Sequence, residues 1–159
     1  MGFGACLETG LACRWSACSY KRNWRGEAMD MKLELVPVPV ADIDRAKEFY
    51  LDHLGFVEDV DVRPSPGIRV VQLTPPGSAC SIVLSTGLPG IDMTPGTIRG
   101  LHLVVNDLDA ARTELVARDV AVGDIDDSSG QGVRYAPLTD PDGNTWVLQE
   151  MSWRTGPLF

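Results

Sequence analysis

Two side chains in this sequence stand where they could do chemistry: Glu150 and His102. Glu150 ends the run Thr145-Trp146-Val147-Leu148-Gln149-Glu150, directly after the turn Asp140-Pro141-Asp142-Gly143-Asn144. Proline sets φ at the first turn position and glycine accepts φ > 0, so a strand begins at once. Side chains alternate along a strand, so Trp146, Leu148 and Glu150 share one face and Val147, Gln149 and Met151 the other. A carboxylate closing an apolar row either lies in water at a rim or points into a cavity. In a cavity its pKa rises unless a cation or donor meets it. Arg134, in the neighbouring strand, is a candidate cation, weighed against a solvated surface role. His102 offers a general base or a hydrogen-bond donor to a substrate oxygen. The plainer alternative is a half-buried histidine in an apolar floor.

The other reactive residue types point elsewhere. His53 follows an aromatic pair at a helix end and reads as structural. Cys80 has no basic neighbour in view and reads as an inert core thiol. Cys6, Cys13 and Cys18 lack a CxxC pair and a matching histidine, which disfavours zinc. Asp124, Asp126 and Asp127 form an acidic loop without the register of a calcium loop. No glycine-rich phosphate loop and no GxSxG motif occurs.

The chain that positions these groups has 159 residues, enough for one domain or two small modules sharing a core. Its 22 acidic against 14 basic residues give a net charge of -8. That argues against nucleic acid or an anionic membrane as partner. No apolar run is long enough to span a bilayer. Three of the four cysteines fall in the first eighteen residues, which fits a reducing cytoplasm rather than a disulfide framework. Residues 1–30 differ from the rest in their scattered basic residues and glycines. They are expected to be a disordered extension, and 153–159 a tail.

Lys32–Val40 reads as a strand. Asp42 caps a helix over Ile43–Leu54, and Gly55 ends it. Phe56–Val62, Ile68–Thr74 and Cys80–Leu84 read as strands separated by Pro/Gly turns. Gly87–Thr97 is a linker. The pattern then repeats: strand Leu101–Val105, helix Leu108–Ala117, strands Val120–Ile125 and Val133–Leu138, and the last strand from Thr145. Val40-Ala41-Asp42-Ile43-Asp44-Arg45-Ala46-Lys47 overlays Val105-Asn106-Asp107-Leu108-Asp109-Ala110-Ala111-Arg112. The expected fold is α+β: two tandem βαβββ modules, 31–86 and 98–152 within a domain over 31–152. They form a curved mixed sheet around a cleft, with the helices outside.

The strand-cap-helix segment Val40–Tyr50 with Leu54-Gly55-Phe56, its second copy, and Asp140–Asn144 running into Glu150 resemble the vicinal oxygen chelate superfamily. That superfamily holds glyoxalase I, extradiol dioxygenases and bleomycin-resistance proteins. The resemblance implies metal-ligand positions in the first strand of each module and late in the last strand. Seven residues before the capping Asp these are Leu35 and Gly100; seven after the turn Gly they are Leu84 and Glu150. Glu150 alone carries a metal-ligating side chain, so no metal is expected, with a displaced divalent-metal site as the alternative. His102 lies two residues after Gly100 and faces the same way. Against a parallel last strand it would stand diagonally from Glu150, Cβ atoms ~7 Å apart, as a candidate catalytic dyad. The expected cleft is apolar, with Leu35, Leu84, Trp146 and Leu148 contacting a small organic ligand and His102 and Glu150 orienting it. The first expectation is a metal-independent glyoxalase/bleomycin-resistance-like binding protein. The second is an enzyme, a lyase, isomerase or dioxygenase, using a displaced metal or His102 as base. The resemblance also implies a homodimer.

Overall fold

The computed structural model of the chain describes residues 31–153. The expected extension over 1–30, and 154–159 of the expected tail, lie outside the described residues. Strand β1 (Leu35–Pro37) leads to Asp42, whose extended backbone (φ -132) lets its carboxylate accept from the Asp44 and Arg45 N–H groups at 2.9 and 3.1 Å. That cap starts α1 (Ile43–Glu48). The predicted single helix does not run on as α-helix. Phe49–His53 forms a π-helical turn, in which Leu54 N–H donates to the Phe49 carbonyl five residues back at 3.1 Å. The wider turn accommodates an aromatic cluster: Phe49 stacks on His53 and meets Tyr50 edge-on, and Tyr50 lies 5.4 Å from Phe56. The chain leaves at Gly55, whose φ of 75 suits glycine.

Strands β2 (Val57–Ser65), β3 (Ile68–Thr74) and β4 (Ser81–Thr86) complete a sheet of order β1-β4-β3-β2. Only β1 and β4 pair in parallel, because the helical segment carries the chain from β1 across to β2 at the far edge and two hairpins bring it back through β3 to β4. The second half repeats this with β5 (Leu101–Val104), α2 (Leu108–Ala117), β6 (Val133–Thr139) and β7 (Thr145–Met151). Its sheet has the order β5-β7-β6, again with one parallel pair. The architecture is therefore α+β with two open mixed sheets. The predicted strand Val120–Ile125 is reduced to isolated bridges, Val122 to Leu138 and Asp126 to Tyr135. Pro137 lies between those partners in β6 and has no N–H to give, so a continuous ladder cannot form there.

The two modules carry matched ion pairs. Arg69 on β3 reaches Asp44 in the first turn of α1 at 2.7 Å, and Arg134 on β6 reaches Asp109 in the first turn of α2 at 2.8 Å. Between sheets and helices lies one core containing Tyr50, Leu73, Leu84, Leu108, Ala136 and Trp146. Buried polar groups tie the halves together. Tyr50 Oη donates to Asp140 Oδ2 at 2.8 Å and accepts from Trp146 Nε1 at 3.2 Å. Asn144 Nδ2 donates to Asp140 Oδ2 and to the Pro39 carbonyl, at 2.7 and 2.9 Å. Burial, reinforced by Asp140, pushes the Tyr50 phenol far above its ordinary pKa, so it remains a donor.

Candidate functional site

The strand registers decide which side chains share a face. His102 on β5 stands opposite Val147 on β7, and Val104 opposite Gln149. Across β6, Pro137 stands opposite Val147 and Tyr135 opposite Gln149. Directly paired residues project to the same side of a sheet. One face of the second sheet therefore carries His102, Val104, Tyr135, Pro137, Val147 and Gln149. The other carries Leu101, Leu103, Ala136, Leu138, Trp146, Leu148 and Glu150, and packs into the core.

This arrangement corrects the expected His102–Glu150 dyad. Glu150 points to the helix side, where its Oε2 accepts from the Leu108 N–H at 2.7 Å and meets Arg134 at 3.4 Å. There it satisfies an orphan amide at the start of α2, next to Asp107, which takes the Ala110 N–H at 2.9 Å. The partner of His102 is instead Gln149: His102 Nδ1 and Gln149 Oε1 are 2.8 Å apart. Tyr135 meets the imidazole edge-on, with ring centroids 6.2 Å apart and planes at 88°.

The expected apolar lining is corrected on the same ground. Trp146, Leu148 and Leu84 are 3%, 2% and 0% exposed, because their faces turn towards the helices. Leu148 borders only a small pocket of about 200 Å³, together with Leu54, Phe56, Leu103 and Leu115. Leu35, paired with Ser81 on the opposite side of the first sheet from Ile82, is exposed. Gly100 has φ 67 and donates its N–H to Thr145 Oγ1 at 2.8 Å, so its backbone conformation accounts for the glycine.

His102 also lines a groove of about 570 Å³ between the Pro75–Ser78 turn and the β5–α2 segment, together with Asp107 and Glu114. The β5, β6 and β7 residues of the His102 face are uncharged, Asp126 bridges Tyr135 at its edge, and Val104 on it is 42% exposed. Among the described residues, no group of three or more His, Cys, Asp or Glu comes together. His102 and Gln149 are two neighbouring donors, and the imidazole is engaged with the carboxamide. The residues of this face do not fit a catalytic ion held by one chain. Cys80 is held above the ordinary thiol pKa by burial and by Glu34, which makes it a poor nucleophile. No helix among the described residues is long and apolar enough to cross a membrane.

The model of the Glyoxalase/Bleomycin resistance protein/Dioxygenase superfamily matches residues 32–148. Among solved structures, TnmS3, an antibiotic binding protein from Streptomyces sp. CB03234, is 36% identical with a TM-score of 0.68. The alignment covers 79% of this chain and 99% of that one. A glyoxalase/bleomycin resistance protein from the same Streptomyces is 38% identical over 74% of this chain and 98% of its own, with a TM-score of 0.62. A superfamily member from Sphaerobacter thermophilus DSM 20745 is 30% identical over 77% and 99%, with a TM-score of 0.64. Among curated proteins none matches the chain.

Proposed function

The chain belongs to the glyoxalase/bleomycin resistance protein/dioxygenase superfamily, and from that premise we propose that it binds a small organic ligand, of the antibiotic kind, without a catalytic metal. The observation that carries this reading is the His102 face. An imidazole paired with Gln149 stands among Val104, Val147, Pro137 and Tyr135, with Asp126 at the edge of the face beside Tyr135. Apolar surface with a few placed polar groups is what a ligand site needs. The likeness to an antibiotic binding protein at 36% identity supports the same class of ligand.

The ligand would lie across His102 and Val147 and extend towards the groove bordered by Pro75–Ser78. A second copy of the chain would supply the opposing wall. Leu35, Val57, Val62 and Val104 are exposed apolar residues on sheet faces turned away from the core, and a homodimer would cover them. Binding here sequesters the ligand and requires no bond to break.

The test is isothermal titration of purified protein with bleomycin and a panel of planar antibiotics, before and after chelator treatment, with light scattering on the same samples. We expect saturable binding of at least one compound, unchanged by chelator and abolished in Val147→Glu, from a particle of two chains. Binding that disappears with the chelator and returns with a divalent ion would sink the metal-free reading. A monomer that binds with undiminished affinity would remove the second copy from the site.

A further inference from the structure

We propose that the seam between the two modules is a separate binding site for a small uncharged molecule, one ring bearing an acceptor oxygen, with the ring among leucines and the oxygen on the Arg118 guanidinium. The pocket of about 200 Å³ lies on the helix side of the second sheet. Leu54 and Phe56 reach it from the first module, Leu103 and Leu148 from β5 and β7, and Ala111 and Leu115 from successive turns of α2. The groove at His102 adjoins it along Pro75, Pro76 and β5, but Leu54, Phe56, Leu115, Leu148 and Arg118 line the seam pocket and not that groove. Leu148 projects from the sheet face opposite His102. Leu54, Leu103 and Leu115 pack against the core and yet remain partly exposed. Protein interiors leave few gaps larger than a water molecule, so the core is open at this joint, and a guest there would take leucine surface out of water. Apolar cavities of about 150 Å³ take up benzene; this pocket suits one ring with a short substituent.

The mouth of the pocket sets the polar group. Arg118, at the end of α2, donates from Nη2 to the Glu114 carboxylate one turn back. Its Nη1 lies over Gly55, 3.0 Å from where a β-carbon on that residue would stand, so the missing side chain makes room for the guanidinium across the seam. His53 Nδ1 pairs with the Arg118 carbonyl and ties the same joint from the first module. Among the described residues, Glu114 is the only hydrogen-bond partner of the guanidinium, which leaves N–H donors at the mouth. Glu114 also balances its charge. A carboxylate would meet Arg118 and Glu114 together, and gain from one while being repelled by the other. An ammonium would be desolvated among leucines, with Glu114 already engaged. A carbonyl oxygen accepts from Arg118 and brings no charge.

The probes are acetophenone, α-methylstyrene and benzoate, arenes of matched size that carry a neutral acceptor, no acceptor and a negative charge. Each is titrated into the full chain and followed by amide NMR shifts. We expect acetophenone to saturate with a Kd on the order of 0.1–1 mM, with its largest shifts at Leu54, Leu115 and Leu148. It should bind about five-fold more tightly than α-methylstyrene, the value of roughly one hydrogen bond, and about ten-fold more tightly than benzoate. Arg118→Met keeps the apolar stem and removes the donors; it should bring the ratio of acetophenone to α-methylstyrene affinity to about one. Ala111→Leu fills the pocket from α2. It should abolish binding and hold or raise the urea midpoint, since the added carbons enter open space. A fall in that midpoint would show a close-packed seam and overturn the site. So would no saturable binding, binding that survives Ala111→Leu, or shifts centred on His102, Tyr135 and Val147 instead. Benzoate binding as tight as that of acetophenone, or a preference for acetophenone that survives Arg118→Met, overturns the role of Arg118. None of these outcomes depends on whether an antibiotic binds the His102 face.

Discussion

Glu150 is the residue at which local and tertiary information part. In sequence it ends an apolar row after a turn, the position of a ligand or an acid. In the fold it closes the first turn of α2 through the Leu108 N–H and leans on Arg134. Glu150→Ala should therefore lower stability, by about 0.5–2 kcal/mol as for other lost helix N-terminal acceptors, and leave ligand affinity unchanged. Chemical denaturation and titration on the same variant check both halves; a large loss of affinity in a fully stable protein would return Glu150 to the site. Gln149 is the partner of His102 that sequence reasoning passed over. The alternation already set Val147 and Gln149 apart from Glu150, and His102 could have been matched to either row. Only the β5–β7 register, His102 opposite Val147, chose between them.

At the scale of elements, the repeat was legible because the two cap-helix segments share their aspartates and apolar spacing. The last strand of each module was misaligned because the turns were equated. Val36 and Leu101 each stand six residues before their capping Asp, and they pair with Ile82 and Trp146. Ile82 lies five residues after Gly77, and Trp146 three after Gly143. Leu84 therefore corresponds to Leu148, both core residues, rather than to Glu150. The joint between α1 and the Asp140–Asn144 hairpin supplies an element-scale prediction. Tyr50→Phe removes a donor from Asp140 and an acceptor from the Trp146 N–H, all within the core. It should cost about 1–3 kcal/mol, read as a lower denaturation midpoint. A neutral outcome would mean that the network contributes no net stability.

At the scale of the whole molecule, charge organises the surface of the first sheet. Asp61 on β2 receives Arg69 at 2.9 Å and Lys47 at 2.7 Å, and Arg69 also holds Asp44. Arg69 first, then Lys47, holds the Asp61 carboxyl far below the ordinary range. A depressed native pKa means that the unfolded chain binds the proton first as pH falls. The stabilisation is then complete above the unfolded value, ~3.9, and lost as pH drops through the native one. Asp61→Asn should be less stable than the unaltered chain at pH 7, and the two stabilities should converge below about pH 4. Urea denaturation across pH 2–7 measures this; parallel curves down to the lowest pH would show that Asp61 contributes no pH-dependent term.

The sequence by itself determined the α+β class, the duplicated strand-helix-strand plan, the Asp42 helix cap and the family resemblance. These rest on local rules: a capping carboxylate acts within three residues, a turn glycine within its own φ, and apolar periodicity within one element. The tertiary structure decided which face of β7 meets the helices. A shift of one residue in strand register exchanges every side chain between core and surface, and no local spacing in β5 or β7 fixes that register. It is set where Leu101, Leu103, Trp146 and Leu148 together bury against α2 and the Tyr50 cluster. That packing turns Glu150 into a helix cap and leaves His102 beside Gln149 on the opposite face.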